Sequence, residues 1–127
     1  MEANNHNYAA AATALLQKLI ATPSFSKEED ATASILFDYL KENGLTPNRH
    51  LNNVWATNKH FDNAKPTLLL NSHHDTVKPN AGYTIDPYDP IIKDGKLFGL
   101  GSNDAGASLV SLLHVFLHYC TQENLAY

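Results

Sequence analysis

Apolar positions in the first third of the chain repeat with the spacing of amphipathic helices. Residues 7–21 carry an alanine run followed by a leucine and isoleucine stripe, and Pro23 interrupts the pattern, which predicts a first helix ending there. A second helix is predicted to open at Ser26, because Glu29 follows it at the spacing of a capping box. Gly44 stands where a left-handed residue typically closes a helix.

The pattern then changes to short alternations and one continuous apolar run, which are typical of strands. Short strands are predicted at 45–51 and 54–57, and residues 67–72 predict a central strand covered on both faces. An Asp-Gly pair inside residues 91–98 predicts a hairpin, and residues 105–119 have the pattern of an apolar helix. Helices around a buried strand predict a layered α/β domain.

Composition narrows the class of protein. The 127 residues carry a net charge of −4 without basic runs, which disfavours nucleic acid or a membrane surface as a partner. The single cysteine, Cys120, fits a reducing compartment, and the sequence predicts neither a secretory leader nor a membrane span. We therefore expect a cytoplasmic protein. Its seven histidines raise the question of metal binding.

The first candidate site follows the predicted central strand, where ligands collect in α/β sheets. Alternate residues of an extended chain share a face, so we expect His73 and Asp75 to point one way and His74 the other. A carboxylate commonly holds the second ring nitrogen of a metal-bound histidine. We interpret His73 as a metal ligand and Asp75 as its orienting carboxylate. The plain alternative is two solvated loop histidines beside an ordinary aspartate.

The second candidate is Asp104, which follows a glycine-containing turn over residues 99–103. The turn allows this carboxylate to enter a crevice, although an aspartate at a helix start is also an ordinary cap. Three other glycine-rich motifs are excluded here. A dinucleotide-binding fingerprint requires glycine where Asp104 stands, and a phosphate-binding loop requires a lysine that does not follow. Ser102 lacks the flanking glycines of a serine-hydrolase nucleophile elbow. If Asp104 and His73 meet at one sheet edge, their oxygen and nitrogen donors suit Zn²⁺ or a similar ion.

Four segments, in this order and spacing, resemble the acetylornithine deacetylase and succinyl-diaminopimelate desuccinylase family, to which glutamate carboxypeptidases and some dipeptidases are related. The segments are residues 73–77, 86–90, 94–99 and 101–104. The resemblance extends over most of the chain. It implies a zinc-aminopeptidase-like α/β catalytic domain whose complete site holds two Zn²⁺ ions, with Co²⁺ as a possible substitute.

The resemblance implies a role for each candidate residue. His73 corresponds to a histidine ligand of one zinc ion, Asp75 to the aspartate that orients it, and Asp104 to the carboxylate that bridges both ions. A cis peptide bond often follows that aspartate in the family, which implies a cis bond between Asp104 and Ala105. The implied partner is a small N-acyl amino acid, whose amide is hydrolysed by a metal-activated water and a carboxylate base.

The segment after Asp104 departs from the family. Residues 105–107 read Ala-Gly-Ala, where the family often has Met-Lys-Gly. Residues 100–107 nevertheless resemble acetylornithine deacetylases more than dipeptidases, which implies a role in arginine biosynthesis. A carboxypeptidase, a dipeptidase or a desuccinylase stays an alternative, and so does a folded module with no catalytic role.

The resemblance also implies that residues 1–127 form only the N-terminal part of the catalytic domain. The glutamate pair that supplies the general base and a ligand, the last histidine ligand and an inserted dimerisation domain would all lie beyond Tyr127. The parent enzyme is then expected to be a homodimer, and the chain alone is not expected to hydrolyse amides. The remaining histidines are interpreted as structural or exposed: His6, His50, His60, His114 and His118.

Overall fold

The computed structural model describes residues 7–127, so His6 lies outside the described residues. Within them, the order of elements is helix, helix, hairpin, hairpin, helix. The elements are α1 (Tyr8–Ile20), α2 (Asp30–Glu42), β1 (Asn48–His50), β2 (Asn53–Trp55), β3 (Ile91–Lys93), β4 (Lys96–Phe98) and α3 (Ser108–Tyr119). This mixture of helices and small sheets agrees with the predicted α/β class.

Helix α1 forms where the alanine run and the apolar stripe predict it. The N–H of Ala10 donates to the side-chain oxygen of Asn7 at 3.0 Å, which satisfies one of the free donors of the first turn. The main core joins this helix to Leu36 of α2 and Val110 of α3. The side chains that α1 contributes are Leu15, Leu16, Leu19 and Ile20. No helix within residues 7–127 is long and apolar enough to cross a membrane.

Helix α2 begins at Asp30, so the helix start and capping box predicted at Ser26 are wrong. The Ser26 hydroxyl donates instead to the carboxylate of Asp75. The Glu29 carboxylate accepts the backbone N–H of Lys27 at 2.7 Å and does not reach back to residue 26. Serine side chains can bond to several nearby or distant partners, and here a tertiary partner displaces the local cap.

The predicted close of α2 at Gly44 is confirmed. Gly44 has a φ of +78°, and its N–H donates to the carbonyl oxygen of Lys41 at 3.0 Å. The N–H of Leu45 donates to the carbonyl oxygen of Leu40 at 3.2 Å. These are the two hydrogen bonds of a Schellman motif, which favours glycine at the left-handed position. Leu40 and Leu45 then pack with Cys120 in a second, smaller core cluster.

Both hairpins form, with strands shorter than the sequence pattern predicts. In the first, Asn48 pairs with Trp55, and β1 starts directly after Pro47, which has no N–H to donate to a strand. In the second, the turn residues Asp94 and Gly95 have φ values of 51° and 71°. Positive φ at both positions is what a two-residue type I′ turn requires, so the Asp-Gly pair identified this hairpin correctly.

The central strand predicted at residues 67–72 is wrong. In the described part of the chain no strand pairs with this segment. Its leucines lie open, with 56% of Leu68, 78% of Leu69 and 37% of Leu70 exposed. A strand buried on both faces needs hydrogen-bonded neighbours and covering side chains, and an apolar run supplies neither by itself.

Helix α3 begins at Ser108, three residues later than predicted, because residues 102–107 form a distorted turn before it. Asp104 and Ala105 have non-helical backbone angles within that turn. The peptide bond between them is cis, as the resemblance implies. Asp104 therefore precedes α3 and is not its cap.

His114 lies buried on α3, whereas His50, His60 and His118 are exposed. The Nδ1 of His114 lies 2.7 Å from the carbonyl oxygen of Val110, which can only accept, so Nδ1 carries a proton and donates it. The Nε2 of the ring lies 2.8 Å from the Tyr39 hydroxyl, within hydrogen-bond distance. This histidine links α3 to α2 through hydrogen bonds.

Candidate active site

The loop at residues 72–76 presents alternate side chains to opposite sides. His73 and Asp75 lie on the open side, where Nδ1 of His73 is 3.1 Å from Oδ1 of Asp75. His74 turns the other way, toward α2. The alternation of an extended chain predicts this division, and the structure shows it.

His74 anchors the loop through both ring nitrogens. Its Nε2 lies 2.9 Å from the carbonyl oxygen of Asn52, which can only accept, so Nε2 donates. Its Nδ1 lies 2.8 Å from the hydroxyl oxygen of the buried Thr32, and this hydroxyl donates to the carbonyl oxygen of Glu29 at 3.1 Å. The hydroxyl of Ser24 donates to the carbonyl oxygen of His74, also at 2.8 Å. These hydrogen bonds fix the backbone that carries the two open side chains.

The glycine turn brings Asp104 to this loop. Gly101 has a φ of +75°, and a Cβ atom at that position would lie 2.6 Å from Cγ2 of Thr76. Only glycine therefore allows the two segments to approach this closely. The N–H of Gly106 donates to the carbonyl oxygen of Gly101 at 2.9 Å and closes the turn. Asp104 lies between these two glycines, so the turn places its carboxylate.

His73 contacts both acids at once. Its Nε2 lies 3.1 Å from Oδ1 of Asp104, while its Nδ1 lies 3.1 Å from Oδ1 of Asp75. The structure thus brings together the three residues that the sequence singled out, although 31 positions separate His73 from Asp104. The side chain of Asp104 is 88% exposed and that of His73 51% exposed, so the group lies open to a ligand.

Asp75 is held from both sides. The Ser26 hydroxyl donates to Oδ2, and the imidazole of His73 lies at Oδ1. The Ser26 hydrogen bond lowers the pKa of Asp75 below its usual value, partial burial opposes this, and the nearby His73 lowers it further. Asp75 is therefore a carboxylate at neutral pH, and its Oδ1 can accept an N–H of the His73 ring.

An open cleft borders these side chains. Its volume is about 350 Å³, within the range of sites that take small molecules. Tyr83, and Ser102 and Asn103 of the glycine turn, also line it. A small ligand in this cleft would lie directly against His73 and Asp104.

The donor set fits part of a zinc site. Two ligand atoms about 2.1 Å from one tetrahedral ion lie about 3.4 Å apart, close to the 3.1 Å between Nε2 of His73 and Oδ1 of Asp104. Within residues 7–127, however, no group of three or more histidine, cysteine, aspartate or glutamate side chains is arranged to hold an ion. Since Asp75 is engaged with Ser26 and His73, two ligands remain, fewer than tight zinc sites use.

Two residues of this arrangement were not identified from the sequence. The local pattern assigns Ser26 to a helix cap, and nothing in it connects this residue with Asp75, 49 positions away. The alternation predicts only that His74 faces away from the site, since its partners Thr32 and Asn52 belong to other segments. Both contacts are products of tertiary structure.

Comparisons with known proteins agree with this geometry. Residues 69–125, which include His73, Asp75 and Asp104, match the sequence profile of peptidase family M20/M25/M40. The chain is 31% identical over 102 residues to succinyl-diaminopimelate desuccinylase of Stenotrophomonas maltophilia, covering 76% of this chain and 26% of the relative. It is 30% identical over 114 residues to the Zymomonas mobilis protein of the same name, covering 83% of this chain and 30% of the relative.

One histidine and two carboxylates lie beside one cleft, in a part of the chain that matches this family profile. Residues 69–125 belong to peptidase family M20/M25/M40. The resemblance inferred from the four sequence segments is thereby confirmed at the level of the family. The chain spans 26% and 30% of the lengths of these two curated relatives.

Proposed function

We propose that this chain contributes one histidine ligand and the bridging carboxylate to the zinc centre of an amidohydrolase that acts on N-acyl amino acids. The observation that carries the proposal is the 3.1 Å approach of His73 to Asp104, with Asp75 at the other ring nitrogen. A metal-bound histidine is commonly held by a carboxylate in this way. The adjoining cleft offers room for a small amide substrate.

Each residue has its own task in this proposal. Nε2 of His73 and a carboxylate oxygen of Asp104 would hold zinc, and Asp75 would keep the proton on Nδ1 and orient the ring. Zinc in such a site supplies a Lewis acid that acidifies water and polarises an amide. No group of three or more histidine, cysteine, aspartate or glutamate side chains within residues 7–127 is arranged to hold an ion, so we propose that the general base and the other ligands are not among these residues.

The proposed substrate is a small N-acylated amino acid. Two relatives are named for succinyl-diaminopimelate, so a succinylated diamino acid is the first candidate. N-acetylornithine, and with it arginine biosynthesis, is the second, because residues 100–107 resemble acetylornithine deacetylases. The proposal also includes a cytoplasmic location, no nucleic-acid or membrane partner, and a homodimeric parent enzyme.

Zinc binding tests the assignment of the ligands. Removal of His73 or Asp104 leaves the centre with one ligand, so we expect His73→Ala and Asp104→Ala each to lower Zn²⁺ affinity at least about tenfold. Competition titration against a chromophoric chelator measures the change. His50→Ala is the matched control, because His50 is exposed on β1, away from the cleft. Equal losses in the His50 and His73 variants would show that zinc binds nonspecifically to surface histidines.

Activity requires the part of the site that we assign to other residues. We expect the 127-residue chain alone to show no turnover of N-succinyl or N-acetyl amino acids. A chimera in which this chain replaces the aligned segment of the Stenotrophomonas maltophilia relative is expected to hydrolyse succinyl-diaminopimelate. In that chimera, Asp104→Ala should lower kcat about a thousandfold, since a metal contributes several kcal/mol to transition-state stabilisation.

The chimera also separates the two substrate candidates when kcat/KM is compared for N-succinyl-diaminopimelate and N-acetylornithine. Turnover by the purified chain alone would contradict the assignment of the base to other residues. A folded chimera that keeps its activity after loss of Asp104 would contradict the role of Asp104 as a ligand.

A further inference from the structure

We propose that residues 67–72 pair as an antiparallel strand with the same residues of a second copy of this chain, which gives a weak, two-fold symmetric dimer. This surface lies outside the cleft and needs no metal, so the inference goes beyond the proposed function. The segment is the one that the sequence predicts as a strand and that the structure leaves unpaired within residues 7–127.

The backbone of residues 67–72 has unused hydrogen-bonding groups. Within the described part of the chain, their N–H and C=O groups make no hydrogen bond. Pairing begins only further along, where Phe25 and Thr76 form a parallel β-bridge and the N–H of Thr76 donates to the carbonyl oxygen of Ser24 at 2.7 Å. An unpaired strand that continues into a paired one is a template to which another chain can add.

The side chains of this segment favour contact with another apolar surface. Leu68, Leu69 and Leu70 are all exposed, and contiguous exposed apolar side chains commonly mark an interaction site. Other exposed apolar residues, such as Trp55 and Ile92, lie on strands whose backbone is already paired in a hairpin. Residues 67–72 therefore combine an apolar surface with a free strand edge.

The charges on either side of the segment favour a second copy in antiparallel orientation. Residues 66–72 carry no charged side chain, whereas Lys65 precedes them and Asp75 follows them. Parallel pairing in register would set Lys65 against Lys65 of the other copy, and like charges directly opposite are destabilising. Antiparallel pairing brings Lys65 to the end of the other strand that leads to Asp75. The Lys65 ammonium makes one hydrogen bond, to the carbonyl oxygen of Leu125 at 2.8 Å, so it has N–H groups left for this contact.

A two-fold axis at Leu69 gives a self-consistent register. The opposed pairs are then Leu69 with Leu69, Leu68 with Leu70, and Thr67 with Asn71. Every central pair is leucine on leucine, and Leu68 and Leu70 of both copies share one face. A contact of this kind uses the same surface on both copies and closes after two of them.

The size of the contact predicts a weak dimer. A strand of this length extends over about 20 Å. Pairing along one edge buries less than about 1,200 Å² in total, which is typical of weak and transient complexes. We therefore expect a dissociation constant on the order of 100 µM, so the chain is monomeric at low micromolar concentration.

Sedimentation equilibrium of the 127-residue chain tests the association directly. Between about 10 µM and about 1 mM, with and without a metal chelator, we expect the mean mass to rise from 14.0 kDa toward twice that value. Leu69→Lys should weaken the dimer at least about tenfold, because two ammonium groups would face each other at the axis. Leu51→Lys is the matched control, since it makes the same change at an exposed leucine in the turn of the first hairpin.

Cysteine cross-linking reads the register and keeps the test decisive if Leu69→Lys does not fold. With oxidised glutathione as the oxidant, Leu69→Cys should form an intermolecular disulfide, because opposed residues of an antiparallel pair have Cα atoms about 5 Å apart. Thr67→Cys should not, since its two copies would lie about 13 Å apart. The native Cys120 is buried, and the unmodified chain gives its background.

Several outcomes would overturn this proposal. One is a monomer up to about 1 mM, and another is a dimer that Leu69→Lys and Leu51→Lys weaken equally. A dimer that the chelator dissociates would be bridged by a metal ion instead. Equal cross-linking of Thr67→Cys and Leu69→Cys would show parallel pairing in register. None of these results depends on zinc binding at His73, so the proposed function can fail while the dimer stands.

Discussion

Replacement of Leu15 by alanine is expected to lower the free energy of unfolding by about 3 kcal/mol, within the range of about 2–5 kcal/mol for deletion of a buried leucine side chain. Leu15 is 1% exposed and lies in the main core with Leu36 of α2 and Val110 of α3. Few other side chains of the described residues are as fully buried as Leu15, so few neighbouring side chains can move into the cavity that the substitution leaves. Urea unfolding followed by circular dichroism measures the loss as a lower midpoint at constant slope.

Leu69→Ala is the matched control for that experiment. It makes the same chemical change at a residue that is 78% exposed, and surface substitutions usually alter stability by less than about 0.5 kcal/mol. A loss comparable to that of Leu15→Ala would show that residues 67–72 are buried in solution. That result would support the central strand that the sequence predicts at residues 67–72 and that the structure does not contain.

The fold could be predicted where local periodicity decides the structure. The alanine run and apolar stripe of α1, the left-handed close at Gly44 and the Asp-Gly hairpin depend on neighbours within a few positions. The strand at residues 67–72 could not be judged in this way. Hydrophobicity indicates that a segment favours burial, but it does not indicate whether other segments pack over it. Ser26 fits a local capping pattern equally well, yet its partner is Asp75, 49 positions away.

The candidate site was predictable for a different reason. The opposite directions of His73 and His74 follow from the alternation of an extended chain. The approach of Asp104 to His73 does not follow from any local pattern, since 31 positions separate them. That pairing came from the order of four segments that resemble a known family. The supporting contacts of Ser26 and His74 depend on how separate segments meet, and the sequence contains no local indication of them.

Gly106→Ala is expected to disturb both the stability of the chain and the geometry of the site. A Cβ atom at Gly106 would lie 2.5 Å from Cδ1 of Leu16 and 2.6 Å from the carbonyl oxygen of Gly101. The leucine end can rotate, but the carbonyl oxygen belongs to the backbone and accepts the N–H of Gly106 itself at 2.9 Å. Gly101 in turn packs closely against Thr76: a Cβ atom added to Gly101 would lie 2.6 Å from Cγ2 of Thr76. The backbone of Gly101 therefore has little room to move toward Thr76.

The turn that holds Asp104 must therefore shift away from the loop of His73. We expect a loss of about 2 kcal/mol in the free energy of unfolding, within the range for overpacking of a filled interior. Zn²⁺ affinity should fall by an amount similar to that in Asp104→Ala, because the two ligands no longer share one ion. Gly82→Ala is the control, since its methyl group would meet only the side chain of Asn80, at 3.4 Å. A Gly106→Ala variant that binds Zn²⁺ normally at unchanged stability would show that the close contact of the glycine turn does not position Asp104.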